Sequence, residues 1–333
     1  MTVDPDLIAM MNAVFADHRA NHGQAATPEL WSRLRSLGLA RLTGTEPSGG
    51  SGAGWHEAAE LTAAAVRTGV RIGLPEHDLL ACWLLEQAGG RVDDAVRTVC
   101  ALDESGTAPA VPWARAAERI VLIWPDSGQY RLADISTADL RITRGTNLIG
   151  EPRDAVAADL DTLTGAAVCA DVVAVLRRKA ALIRAIQVCA ALDAALELAV
   201  QHASSRNQFG RPLAKFQAVQ HLIADIAAEA SLARTATEAA LTAAVSTDWA
   251  APNLDFRIGV ARSCAGHAAS VVVRNAHQVF GAIGTTAEHR LHEYTRAALA
   301  WRGEYGSVRS WDEQVTAAAL RAGAGGLWEL ITA

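Results

Sequence analysis

The sequence predicts a mainly α-helical protein with a small β module set between an N-terminal helical region and a C-terminal four-helix bundle. Three observations predict it. Half of the 333 residues are hydrophobic while only 5% are aromatic, and with Ala abundant this composition favours helices over a sandwich or barrel. Apolar residues recur at three- and four-residue spacing towards both ends of the chain, whereas β-forming runs and turn sequences cluster between them. The length suits two or three domains of roughly 100–200 residues each.

Residues 1–95 read as short helices joined by polar turns. Leu7, Met11 and Phe15 share one helical face, as do Leu30, Leu34 and Leu37, and the pattern resumes over Trp55–Val70 and Leu79–Leu85. The stretch Gly44–Gly52 reads as a non-helical, flexible connector. Residues 96–165 form the short β module, with runs at Val96–Cys100, Arg119–Trp124, Gln129–Leu132 and Leu140–Thr143. Their turn-rich spacing predicts five or six strands. Residues 166–333 return to helix. Leu182, Ile186, Cys189, Leu192, Leu196 and Val200 step along one face of a first long helix; Leu213–Ala244 and Arg257–Phe280 give two more, and a fourth starts near Glu288.

Composition also excludes functions. A net charge of −6 without any basic block argues against nucleic-acid binding. Five scattered cysteines with no C-x-x-C pair favour a reducing cytoplasm over a disulfide framework or zinc cluster. No apolar run reaches the ~18–20 residues of a membrane-spanning helix, and the acidic N-terminus is unlike a secretory signal. His18 and His22 read as surface histidines, and His289 and His292 with Glu288 and Glu293 as a solvated or subunit-contacting face. There is no Walker loop, no G-x-G-x-x-G after a strand and no G-x-S-x-G elbow.

Two stretches carry more polar chemistry than a turn requires. Ser205–Gln220 (SRNQFGRPLAKFQAVQ) turns through Gly210 and Pro212 and sets a guanidinium at a helix–helix corner, suited to phosphate. In Asn275–Glu288 (NAHQVFGAIGTTAE) a helix runs into a loop with two glycines that admit close backbone approach. Together they resemble the C-terminal domain of the flavin-dependent acyl-CoA dehydrogenases, and the order of helical region, β module and bundle resembles that family over nearly the whole chain. The resemblance implies that Arg206, Gln208 and Phe209 contact the pyrophosphate and adenine end of FAD, that Gln278, Gly281 and Gly284 line the same dinucleotide, and that this FAD is held by a neighbouring subunit. The stretch Thr45–Gly52 is similar to the family's N-terminal P-E-x-x-G-G turn.

Departures from the family pattern shape the expected function. Neither a T-E-P-x-x-G-S-D loop nor a W-I-T-type strand occurs between Val92 and Leu160. Tyr305 stands where the family carries its Glu base, Glu304 is expected on another face of the same helix, and the alternative base position falls at Lys179-Ala180-Ala181. A chain of this kind is similar to the short, base-lacking subunits of actinobacterial heterotetrameric acyl-CoA dehydrogenases that act on steroid side-chain CoA thioesters. The resemblance implies a longer acyl-CoA dehydrogenase homologue as partner, an acyl-CoA substrate, electron-transfer flavoprotein as onward acceptor, and no catalytic residue in this chain. Two alternatives stay open: a self-sufficient homo-oligomeric enzyme using Glu304, and a flavin-free scaffold subunit.

Overall fold

The structure, a computed structural model, describes residues 3–332. The chain divides into two compact units, one ending at Ala180 and the other beginning at Ala181.

The first unit opens with α1 (Pro5–His22), α2 (Pro28–Ser36) and α3 (Trp55–Thr68). Asp4 and Thr27 cap α1 and α2, and each helix begins with Pro, whose missing N–H costs nothing there. α1 packs on α3, burying Met11, Val14 and Phe15 from one and Ala58, Leu61 and Ala65 from the other. The next helical stretch is not uniform: Glu76–Cys82 has π geometry and runs into α4 (Trp83–Gln87). Two expectations fail in this region. Gly44–Gly52 is not free of helix, because Glu46–Ser48 makes a 3₁₀ turn. Arg41 pins that turn, donating to the Ser48 carbonyl and hydroxyl and pairing with Glu86 at 2.5 Å. His18 is buried rather than surface-facing, its Nε2 2.9 Å from the Ala25 carbonyl oxygen.

The β module holds seven strands, against an expected five or six: β1 (Arg97–Ala101), β2 (Thr107–Pro112), β3 (Arg119–Asp126), β4 (Gln129–Ser136), β5 (Arg141–Thr143), β6 (Arg153–Ala157) and β7 (Ala166–Val168). They form two sheets, ordered β1-β3-β4-β7 and β2-β6-β5, with Ile120, Leu122, Trp124, Val111 and Val156 in the core. β2, β6 and β7 escape the sequence reading because their residues are mostly Ala, Pro, Arg and Asp. Pairing with better strands, not propensity, makes them strands.

α5 (Ala170–Ser205) leads into the second unit, which continues with α6 (Gln217–Ser246), α7 (Leu254–Phe280), α8 (Leu291–Trp301) and α9 (Val308–Thr332). The stripe Leu182, Ile186, Cys189 and Leu192 is buried, but Val200 is exposed. α6 and α7 pack along their length through fully buried alanines, among them Ala233, Ala240, Ala265 and Ala269; such small side chains let the helix axes approach closely. Leu213–Lys215 is a 3₁₀ turn, so α6 starts at Gln217 rather than Leu213. The fourth leg of the bundle is two helices rather than one. Tyr305 at φ 55° and Gly306 at φ 124° cannot continue a right-handed helix, and they break the chain between α8 and α9.

Among the described residues no helix is long and apolar enough to cross a membrane, and no cluster of His, Cys, Asp or Glu is arranged to hold a metal ion.

Candidate functional site

The first polar corner begins where α5 stops at Ser205. The Arg206 amide still donates to the His202 carbonyl at 2.9 Å, and the chain then folds into a two-residue ribbon, Asn207–Gln208 against Arg211–Pro212. Phe209 (φ 52°) and Gly210 (φ 80°) form its tip. Arg206, Gln208 and Phe209 all face solvent, and Phe209 is 90% exposed. The ribbon's stiffness comes from its far side. There the Arg211 guanidinium lies 4.2 Å from the Phe216 ring centroid, and Phe209 meets the same ring edge-on at 6.2 Å. A large exposed aromatic on a stiff polar tip is suited to stacking against a flat ligand.

The second motif is brought to the same place by a stack of rings. His202, one turn before Arg206, stacks on Phe280 at 4.2 Å, and Phe280 packs on His289 at 4.4 Å. Burial lowers the pKa of both histidines, a shift that favours their neutral form. Phe280 is the last residue of α7, which places exposed Gln278 and Gly281 beside it. Gly281 has φ 63° with open space where a side chain would stand, leaving its backbone accessible. Gly284 differs: a Cβ there would lie 2.7 Å from the Phe280 Cβ, so this glycine serves packing within the chain. His289 thus joins a ring stack within the chain, half-buried beside exposed Glu288. Arg206, Gln208, Phe209, Gln278 and Gly281 together offer a guanidinium, two amides, an aromatic face and open backbone, a donor set that fits a dinucleotide.

A second polar centre lies elsewhere in the same unit and was not legible in the sequence. Arg184 on α5 is 1% exposed and pairs with Glu304 at 2.6 Å, while its Nη1 donates to Gln187 Oε1 at 2.6 Å. Arg262 on α7 is 2% exposed and donates to the carbonyls of Arg302 and Glu304 at 3.0 and 2.7 Å. Burial, and next the Arg184 charge, push the Arg262 pKa down to about 9. Glu304 is not on a helix face, as expected, but in the turn between α8 and α9, with its carboxylate committed to Arg184. The Tyr305 ring lies 5.2 Å from the Arg184 guanidinium and is partly exposed. At the other base position, in the first unit, Lys179 Nζ sits over the indoles of Trp83 and Trp55, at 3.9 and 5.0 Å. Neither place presents an uncommitted carboxylate. In the sequence Arg184 and Arg262 both lie within Ala-rich helices, a pattern that leaves their inward orientation unspecified; once buried, each cation demands partners.

Two units of this construction, a helix-plus-sheet unit followed by an Ala-rich bundle with a polar corner after its first helix, define the acyl-CoA dehydrogenase fold. Residues 176–307 match the family described as acyl-CoA dehydrogenase, C-terminal domain. Over nearly the whole chain the fold is that of the ChsE4–ChsE5 complex from Mycobacterium tuberculosis (TM-score 0.82, 20% identity, 96% of this chain and 98% of that one). A variant of the Tcur3481–Tcur3483 steroid ACAD matches equally well, with TM-score 0.82 and 20% identity over 96% of this chain and 98% of that one. Among curated proteins the chain is similar to the acyl-CoA dehydrogenase FadE34 of M. tuberculosis, 38% identical over 122 residues (37% of this chain, 17% of that protein). It is also similar to IpdE2 of the same organism, 34% identical over 119 residues (36% and 35%). The chain therefore matches only about a sixth and a third of the lengths of these two relatives.

Proposed function

We propose that this chain is a subunit of an FAD-dependent acyl-CoA dehydrogenase whose catalytic base is carried by a longer homologous partner, acting on steroid side-chain CoA thioesters. The observation that carries the reading is the state of the base position. Tyr305 stands there, and the adjacent Glu304 has its carboxylate tied to a buried guanidinium. A phenol with a reference pKa near ~10 is a poor proton acceptor at neutral pH. An α C–H gives up its proton only to a positioned and available base. The solved complexes that share this fold at TM-score 0.82 are two-component assemblies, one of them described as a steroid enzyme, which supports both the partner and the substrate class.

In this reading Arg206 pairs with the pyrophosphate, Gln208 and Gln278 hydrogen-bond the adenosine half, Phe209 stacks on it, and Gly281 offers backbone N–H. When bound, FAD supplies the acceptor for the substrate's β-hydride. The α-proton goes to a carboxylate on the partner, an α,β-unsaturated acyl-CoA leaves, and electron-transfer flavoprotein takes the electrons onward.

Co-expression with a longer homologue tests this. The complex is expected to purify yellow and active, and this chain alone to be colourless and inactive. A yellow, active homo-oligomer of this chain would overturn the reading in favour of a self-sufficient enzyme. An unchanged flavin affinity of the partner with and without this chain would make it a scaffold.

A further inference from the structure

We propose that the corner around Arg206 takes up a proton together with its anionic ligand, and that His202 accepts it. This rests on the proposed function, which puts a dinucleotide pyrophosphate at Arg206.

A proton acceptor stands beside the place of the anion. His202 and Arg206 are joined at the end of α5, where the Arg206 amide donates to the His202 carbonyl at 2.9 Å. His202 lies in the last turn of that helix, whose dipole favours a cation there. Its ring stacks on Phe280, with centroids 4.2 Å apart and planes at 24°, and an aromatic face supports positive charge. His289 packs on the same phenyl ring at 4.4 Å, and the two imidazoles are 6.5 Å apart. Two charged rings that close repel one another, so the pair holds one proton rather than two. The Leu291 amide donates to His289 Nδ1 at 3.1 Å. Protonation at that atom would break the bond, which favours His202 as the acceptor.

The surrounding charges keep the proton off until a ligand arrives. Burial first, then His289 and Arg206, lower the pKa of His202. Arg290 and His292, at the start of α8, act on His289 in the same direction after burial. Glu293 pairs with Arg290 at 3.3 Å, and His277 of α7 has its Nε2 3.1 Å from the Thr295 hydroxyl. A pyrophosphate on Arg206 offsets the guanidinium charge and adds an anion beside the imidazole, and both changes favour the imidazolium. A ligand that draws a proton onto the protein is, by reciprocity, bound more tightly as pH falls. The pyrophosphate of a dinucleotide is a diester whose own charge is constant across the histidine range, so the uptake is the protein's.

Calorimetric titration of FAD into the flavin-stripped complex of this chain and its longer partner tests this, at about pH 5.5 and about pH 8, either side of the histidine range. Repeating it in two buffers of different ionisation enthalpy counts the protons. Net proton uptake is expected, with FAD bound about three- to tenfold more tightly at the lower pH, the effect of a pKa rise of up to about one unit. His202→Phe keeps a ring on Phe280 but cannot take a proton, and His202→Gln removes both. Each is expected to lose the gain in affinity at low pH together with the proton uptake, in a complex whose circular dichroism and assembly match the wild type. A merely structural role would leave the pH response in place and weaken FAD equally at both values. That result, or the wild-type pH response in both variants, would overturn this inference alone. Absence of FAD binding to the wild-type complex at both values would overturn the proposed function and this inference with it.

Discussion

Glu304 is the residue on which the assignment of the proton turns. Glu304→Gln keeps the shape of the turn and an acceptor for Arg184, and turnover of the assembled enzyme is expected to stay within a few-fold of wild type. A base removed in this way would cost about 10²–10⁴-fold, so steady-state kinetics of the complex at full flavin occupancy separates the outcomes. Under the proposed function, in which Arg206 pairs with the pyrophosphate, Arg206→Ala removes a charge-assisted contact worth roughly 1.5–3 kcal/mol. Equilibrium dialysis of the complex at limiting FAD is expected to show flavin held about ten- to a hundredfold more weakly. The polarity of this corner was legible because its residues exceed what a turn needs. Arg184 and Arg262 were not, because a single sequence does not say which arginine in an Ala-rich helix points inward, and their partners are carbonyls and a carboxylate far along the chain.

At the scale of elements, the sequence reading located helices wherever apolar spacing was sustained and failed where geometry departs from the standard period. The Leu79–Leu85 pattern hid a π segment, Glu76–Cys82, which turns His77 and Asp78 inward together. Burial drives the His77 pKa down to about 3, and its Nδ1 accepts the Arg97 amide at 3.0 Å. Burial also drives Asp78 up to about 6. The two act oppositely. With its folded pKa below the unfolded 6.5, His77 binds a proton more readily in the unfolded chain, so its contribution to stability is lost as pH falls from 6.5 towards 3. Asp78 protonates more readily when folded, and its strain is relieved as pH falls through 6 towards 3.8. Comparison with His77→Gln, which keeps an acceptor for the Arg97 amide, cancels the Asp78 part. Wild type is expected to lose stability relative to that variant by about 1.4 kcal/mol per pH unit across the His77 window. Urea unfolding at a series of pH values measures it, and parallel curves would refute the inward neutral histidine.

For the whole molecule, α9 is kinked at Gly323 (φ 62°) and leaves Leu320 before the kink and Trp328 and Ile331 after it exposed at 76%, 74% and 50%. Exposed apolar side chains of this size mark an interaction surface, and under the proposed function the longer partner covers it. Trp328→Glu is therefore expected to shift the complex towards free chains in light scattering at micromolar concentration, with the fold of each chain intact. A lasting monodisperse complex would show that this helix is not part of the contact. The succession of helices, strands and helices was readable from apolar spacing together with β-forming runs and turn sequences. The division at Ala180 was not, because α5 runs through it without a break in pattern.

The Arg184–Glu304 pair joins residues 120 positions apart, and Arg262 waits for carbonyls some 40 positions downstream. During synthesis at about 5–20 residues per second, the hydrophobic stripes of α5 to α7 are complete well before either guanidinium has its counterpart. A buried cation without a partner destabilises a fold by roughly 3–5 kcal/mol, so the nascent bundle is held open until the turn before α9 emerges. The second unit is thus expected to fold late and as a whole, whereas the first closes its own contacts as it is made. Pulse proteolysis of ribosome-stalled chains ending at residue 300 should find the first unit protected and α5–α7 digested. Extension beyond Gly306 should protect both.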